Sequence, residues 1–282
     1  MILVTSAAGN TGRIIVQRLV DAGFDVLATD IDPKVKDLNG IKDAMVGDLT
    51  DLSFINALME KATKVVYIPP LFLAQEALIG KRMIDSAQEH GIEYFLFVSV
   101  IHPILSTLLQ HTAKREVEEY LVYKGMETQL PYTILQPMHY MHNFNPKVVA
   151  ESDKYSIFYN IDTKVGYVAT EDVADVVIKI FSEGKKHDKA TYELVGTPAY
   201  SPNDLIDMFN DVTGKKAVTE YVDAETFLKQ IQANDLFFQA AVKQLAYTYS
   251  TWGLDGNSNV LTWLLGHEPT TFKDYVKKSL AK

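Results

Sequence analysis

Met1-Ile-Leu-Val-Thr-Ser-Ala-Ala-Gly-Asn-Thr-Gly12 opens the chain. A short apolar run, Ile2 to Val4, meets a loop of small residues, and a helical pattern starts directly behind it. This order builds an anion site at the end of a parallel strand. The first N–H groups of a helix lack partners within the helix and lie at its positive end. Gly9 and Gly12 keep side chains away from the place where a diphosphate would approach. A third glycine is expected at position 6, where the chain carries Ser6.

Outward from this loop, apolar runs alternate with helical patterns. Strands are predicted at 2–5, 25–29, 44–46, 64–68, 94–100 and 132–136. Helices are predicted at 11–22, 52–62, 74–90 and 110–124, with Gly23, Gly91 and Gly125 as stops. The run from Tyr94 to Val100 is apolar apart from Ser99, as a strand buried on both faces requires. Alternation of this kind predicts an α/β fold with a doubly wound parallel sheet. The second half differs. Strand-like pieces at 155–159, 166–169 and 191–194 lie between helices at 171–182 and 203–213, and an aromatic-rich, mostly helical stretch follows Ala224. The expected division is a core over 1–140 and a smaller α+β substrate-binding region over 141–282, with part of 160–196 returning to the core.

The chain has 282 residues, of which 47% are hydrophobic, so one large core or two small ones can form. It contains no cysteine, which removes disulfides and thiolate chemistry and suits a reducing, cytoplasmic setting. No signal peptide is read at the start, and the greasiest stretch, 94–109, is too interrupted to span a bilayer. A net charge of −9 opposes direct binding to nucleic acid.

Asp30 stands 21 residues after Gly9, at the end of the second predicted strand. A carboxylate there suits the ribose hydroxyls of an adenosine and repels a 2′-phosphate. It favours NAD, with NADP left open because Arg13 and Lys34 are in reach by sequence. A turn or cap role is the plainer alternative. Asp48-Leu49 offers an acid and an apolar face for an adenine ring, or a helix cap. Pro69, before Pro70, ends the fourth strand where a nicotinamide ribose would pass, or is a rigid stop. Ser99 closes the fifth strand and either touches substrate or caps the strand. His111 and Lys114, three apart on a predicted helix, face the same way. An ammonium suits ribose hydroxyls, and an imidazole titrating near neutrality suits proton transfer. The plainer alternative is a wet helix face, given Arg115, Glu116, Glu118 and Glu119. After Pro137 come His139, Tyr140, His142 and Asn143. The two histidines have no third ligand at a useful spacing, so no metal is assigned. Tyr140 and Asn143 are read as facing cofactor or substrate.

Several segments together resemble the NmrA-like branch of the atypical short-chain dehydrogenases/reductases. They are Ser6-Ala-Ala-Gly-Asn-Thr-Gly12, Gly47-Asp-Leu-Thr-Asp51, Phe97-Val-Ser-Val-Ile-His-Pro103, His111-Thr-Ala-Lys-Arg-Glu-Val-Glu-Glu119 and Tyr132-Thr-Ile-Leu-Gln-Pro137. Gly253-Leu-Asp-Gly-Asn257 and Trp263-Leu-Leu-Gly-His-Glu-Pro-Thr-Thr-Phe272 are similar too, so the resemblance covers nearly the whole chain. It implies a Rossmann-type core, a nicotinamide dinucleotide held by Gly9, Asn10, Thr11 and Gly12, and Lys114 near the nicotinamide. It implies an oxidoreductase acting on a small carbonyl, quinone-like or unsaturated molecule, with a homodimer as an open assembly. Three departures stand out. Ser6 replaces a glycine. Asp30 replaces the arginine of many relatives. Gln110 stands four before Lys114, where typical members carry tyrosine. Any proton donor is then His111, Tyr140 or water. A non-catalytic dinucleotide sensor is the main alternative function, and a sugar-nucleotide epimerase a weaker one.

Overall fold

The computed structural model describes residues 1–281. In chain order the first half is β1 (Ile2–Val4), α1 (Asn10–Asp21), β2 (Val26–Asp30), β3 (Asp43–Val46), α2 (Leu52–Met59), β4 (Lys64–Tyr67), α3 (Glu76–Glu89), β5 (Tyr94–Val98), α4 (Leu109–Thr128) and β6 (Tyr132–Pro137). There follow α5 (Pro146–Ser152), β7 (Lys154–Ile157), α6 (Thr170–Glu183), β8 (Ala190–Leu194), α7 (Pro202–Thr213), β9 (Val218–Tyr221), α8 (Ala224–Gln230), α9 (Leu236–Trp252), α10 (Asn259–Leu265) and α11 (Phe272–Ala281).

Seven strands form one sheet in the order β3-β2-β1-β4-β5-β6-β8, and the pairs from β3 through β6 are parallel. The chain winds outward from β1 to β3, then returns to place β4 on the other side of β1. The crevice between β1 and β4 is therefore a topological switch point, where doubly wound sheets bind ligands beyond the carboxyl ends of the strands. Every residue of β1, β5 and β6 is buried, which requires helices on both faces. On one face Leu3, Val65, Tyr67, Phe95, Phe97 and Ile134 pack with Ile55 and Leu58 of α2, Ile79 and Met83 of α3, and Val117 and Leu121 of α4. Residues of the other parity point the opposite way. There the Tyr94 ring meets Phe181 of α6 edge-on at 6.0 Å, and Arg18 of α1 clamps Asp175 of α6 at 2.5 and 2.6 Å.

Contacts divide the chain into two compact units. The first takes in Met1–Ile104, His111–Pro137 and Val173–Tyr192; the second takes in Leu105–Gln110, Met138–Asp172 and the chain from Glu193. Within the second, Phe144 gathers the rings of Tyr155, Phe209 and Phe272 at 4.7 to 5.8 Å, beside a parallel pair of β7 and β9. Its α7 starts on a capping box between Ser201 and Asp204.

Two sequence expectations are corrected. Gly125 does not stop α4, which runs on to Thr128 and turns at Gln129, at φ +61°. A Cβ at Gly125 would press into the Tyr132 ring, so this glycine serves close packing inside the helix. Residues 166–169 form no strand. That stretch makes one isolated bridge instead, Val168 with Tyr140. No helix among the described residues is long and apolar enough to cross a membrane.

Candidate functional site

The glycine loop is laced to the end of β4. Thr5 Oγ1 donates to the Ile68 carbonyl at 2.8 Å and accepts from the Ile68 N–H at 2.8 Å, while Ser6 Oγ donates to the same carbonyl at 2.9 Å. Ser6 has φ +49°, a left-handed conformation that favours glycine, which explains why a glycine is expected there. The serine occupies the turn without displacing it. Gly9 is the N-cap of α1, brings no side-chain acceptor to the first turn, and is followed by no acidic residue in that turn. Asn10 is exposed, Thr11 half-buried and Gly12 buried. A Cβ on Gly9 would lie 3.2 Å from the Ser6 carbonyl oxygen. On Gly12 it would collide with that oxygen and come within 2.7 Å of Ala7 Cα. Gly12 is thus required for packing the helix onto its own loop, and the sequence reading of an open approach applies to Gly9.

A cavity of about 560 Å³ opens beside the loop. Ser6, Thr29, Asp30 and Ile31 line it from β1 and β2, Gly47 to Thr50 from the end of β3, and Pro70, Leu71, Leu73 and Gln75 from the segment after β4. Asp30 Oδ2 accepts from the Ala8 N–H at 2.9 Å, and Oδ1 from the Asp32 N–H at 3.0 Å. Asp48 is exposed and accepts the Thr50 N–H at 2.8 Å, whereas Asp51 caps α2 through Ser53. The cap alternative thus belongs to Asp51, and Asp48 faces the cavity with Leu49. Pro69 is buried, and its neighbour Pro70 forms the wall.

A buried polar layer lies on the α3 and α4 face. Lys114 Nζ bonds Glu76 Oε1 at 2.5 Å, with the two residues only 6% and 1% exposed. Burial pushes the Glu76 carboxyl up, against the pull of Lys114. The Tyr67 hydroxyl is buried, and burial, with the Glu76 charge, drives it well above its usual range. Gln136 donates to both Glu118 oxygens at 2.9 and 3.0 Å. Glu118 is therefore half-buried, not part of a wet face, and burial raises it against the favourable Ser99 and Gln136 dipoles. Ser99 Oγ is buried beside it without completing a hydrogen bond of ordinary geometry. The Pro137 carbonyl accepts the Ile101 N–H at 3.0 Å.

His111 differs most from its sequence reading. Its Nδ1 lies 3.2 Å from the His102 carbonyl, which only accepts, so Nδ1 carries the proton and Nε2 is left as an acceptor. Burial, helped by the Lys114 charge, pulls its pKa down to about 4, overriding the favourable backbone bonds at His102 and Ile101. The imidazole is neutral at pH 7 and does not titrate near neutrality.

The segment after β6 belongs to the second unit. The Tyr140 ring stacks on His142 at 5.0 Å. His142 Nδ1 meets Thr170 Oγ1 at 2.9 Å, and Asn143 donates to His139 Nε2 at 3.0 Å. Among the described residues no group of three or more histidines and carboxylates is placed to hold a metal. Sequence reasoning missed Glu76, Gln136, Ile31, Leu71 and Leu73. Alternation marks the parity of Gln136, but nothing in the sequence pairs Glu76 with Lys114.

A parallel doubly wound sheet with a glycine loop and a lined cavity at its switch point defines an α/β protein of the dinucleotide-fold class. The chain belongs to the NmrA-like family, whose model matches residues 1–278. It is 22% identical to quinone oxidoreductase 2 of Escherichia coli strain K12, over 98% of this chain and 97% of that one. Among solved structures it is similar to an NADPH-dependent quinone oxidoreductase from E. coli complexed with NADPH. The TM-score is 0.79 and the identity 21%, over 99% of this chain and all of that one. It is also similar to the Citrobacter sp. triphenylmethane reductase complexed with NADP(H), at TM-score 0.80 and 20% identity, again over 99% and 100%.

Proposed function

We propose that this chain is an oxidoreductase that uses a nicotinamide dinucleotide, NAD(H) in preference to NADP(H), on a small carbonyl, quinone-like or other unsaturated substrate. One observation carries the reading: the Asp30 carboxylate lines a cavity at the switch point, beside a helix N-terminus with no side-chain cap. The quinone oxidoreductase and triphenylmethane reductase named above support the chemistry. The residues fit the group. The cavity falls in the usual range for small-molecule sites, about 300–1,000 Å³. The first-turn N–H groups of Asn10, Thr11 and Gly12, with Gly9 and Ser6 before them, would hold the diphosphate. Asp30 would take the adenosine ribose hydroxyls, and Asp48 and Leu49 the edge and face of the adenine.

When bound, the dinucleotide supplies or accepts a hydride. Pro69, Ser99 and Pro137 are assigned to its nicotinamide half. Lys114 would hold the ribose hydroxyls. An ammonium has three donors, and Glu76 takes one. Glu76 offsets the Lys114 charge in part, so hydrogen bonding is the main action proposed for Lys114, with a local positive potential that still reaches His111. His111 is a neutral acceptor, which leaves Tyr140 and water, and Tyr140 is taken as the proton donor.

The test is NADH oxidation against a panel of quinones and carbonyls. Turnover that drops in Lys114→Ala supports the assignment, and turnover unchanged in that variant overturns it. A dinucleotide sensor is the second reading, favoured by the neutral His111 and the occupied Lys114. NADH binding without turnover on any acceptor would select it.

A further inference from the structure

We infer that Glu76 is the positioning residue for Lys114, fixing its ammonium for the dinucleotide; the inference rests on the functional reading above. Lysine ends a flexible four-carbon stem, and a buried ammonium without a partner loses its charge or destabilises the fold. Glu76 meets both needs, with a bond of 2.5 Å to Nζ and almost no access to water. It sits in the first turn of α3, where the helix dipole favours a carboxylate and helps it stay charged against burial.

The surrounding packing fixes this alignment. Glu76 and Gly80 lie one turn apart on α3, as Lys114 and Val117 do on α4. A Cβ at Gly80 would come within 2.9 Å of Val117 Cγ1, so the glycine lets the helices approach closely just beyond the ion pair. Further along, Lys81 bonds Glu116 at 3.0 Å, and the Tyr120 hydroxyl bonds Asp85 at 2.6 Å. These contacts advance together along both helices, which therefore run parallel in a single register. A buried ion pair is replaced by apolar residues at little cost in many proteins, so stability alone does not call for one here. A fixed donor on Lys114 does.

The test is a double-mutant cycle read by NADH fluorescence titration, with circular dichroism to establish folding. The variants are Glu76→Gln, Lys114→Met and the two together. The double variant leaves no buried unpaired charge and guards against failure of Glu76→Gln to fold. Glu76→Asp is a second guard, retaining the charge on a shorter stem. Glu76→Gln is expected to weaken NADH binding about tenfold in the natural background, the size of one charge-assisted hydrogen bond. In the Lys114→Met background the same change should alter affinity less than about twofold. Glu76→Asp should fall between the natural chain and Glu76→Gln. Equal losses in both backgrounds, or unchanged affinity in folded Glu76→Gln or Glu76→Asp, would overturn the inference while leaving dinucleotide binding intact. No binding of NADH or NADPH by the natural chain would instead sink the functional reading itself.

Discussion

Asp30 Oδ2 accepts the Ala8 N–H at 2.9 Å, so the end of β2 is bonded directly to the glycine loop that follows β1. The carboxylate proposed to choose the cofactor also shapes the loop proposed to hold its diphosphate. Asp30→Asn keeps an acceptor of similar shape and removes the charge. It is expected to weaken NADH about three- to tenfold and to raise the ratio of NADPH to NADH affinity. Paired titrations of the variant check this. An unchanged ratio would remove Asp30 from cofactor choice.

Gly12→Ala places a methyl group against the Ser6 carbonyl and Ala7 Cα, which are backbone and cannot rotate away. A loss of about 1–3 kcal/mol in stability is expected, as for overpacked sites, together with weakened NADH binding. Gly9→Ala, at 3.2 Å from the same carbonyl, should cost less. Denaturant unfolding of the two variants gives the order, and a larger loss at Gly9 would contradict the packing role of Gly12.

Ser6→Gly trades two small terms. It relieves a left-handed residue, worth about 1 kcal/mol, and deletes the Oγ bond to Ile68, worth about the same. Stability within about 1 kcal/mol of the natural chain is expected by urea unfolding. A large loss would show that the Ser6 hydroxyl does more than hold the turn.

Burial pulls His111 and His139 down to about 4, from an ordinary value near 6.5. A group whose folded pKa is depressed binds more protons in the unfolded chain between those values. Its contribution is present in full above pH 6.5 and is lost as pH falls toward 4. For His111 the full loss is on the order of 3 kcal/mol. Unfolding between pH 5 and 6.5, above the range of most carboxylates, should show stability falling with pH. His111→Asn, which keeps a donor for the His102 carbonyl, should flatten that slope. An identical slope in the variant would show that His111 is not the group responsible.

Tyr140→Phe removes the assigned proton donor and keeps the ring that stacks on His142. Turnover is expected to fall about 100-fold or more with NADH affinity unchanged, as for loss of a general acid. Unchanged turnover in stopped-flow assays would return the proton to water.

The parallel sheet was legible because buried strands and amphipathic helices leave different apolar periods, and the glycine loop because strand, small residues and helix follow in a fixed order. Gly125 misled because a glycine required by the Tyr132 ring looks the same in sequence as one that ends a helix. Residues 166–169 misled because β-branched and aromatic residues suit isolated bridges as well as strands. The places of Asp30 and Asp48 on the cavity wall could be read because strand ends are local. The Lys114 to Glu76 pair could not, since its members lie 38 residues apart on two different helices. The same holds for His111, whose neutral state follows from burial and not from its neighbours on the helix.

The most direct test of the central claim is paired titration of the natural chain with NADH and NADPH, followed by nicotinamide fluorescence. Saturable binding with NADH the tighter ligand is the predicted result. Tighter NADPH, or no binding of either, would contradict it.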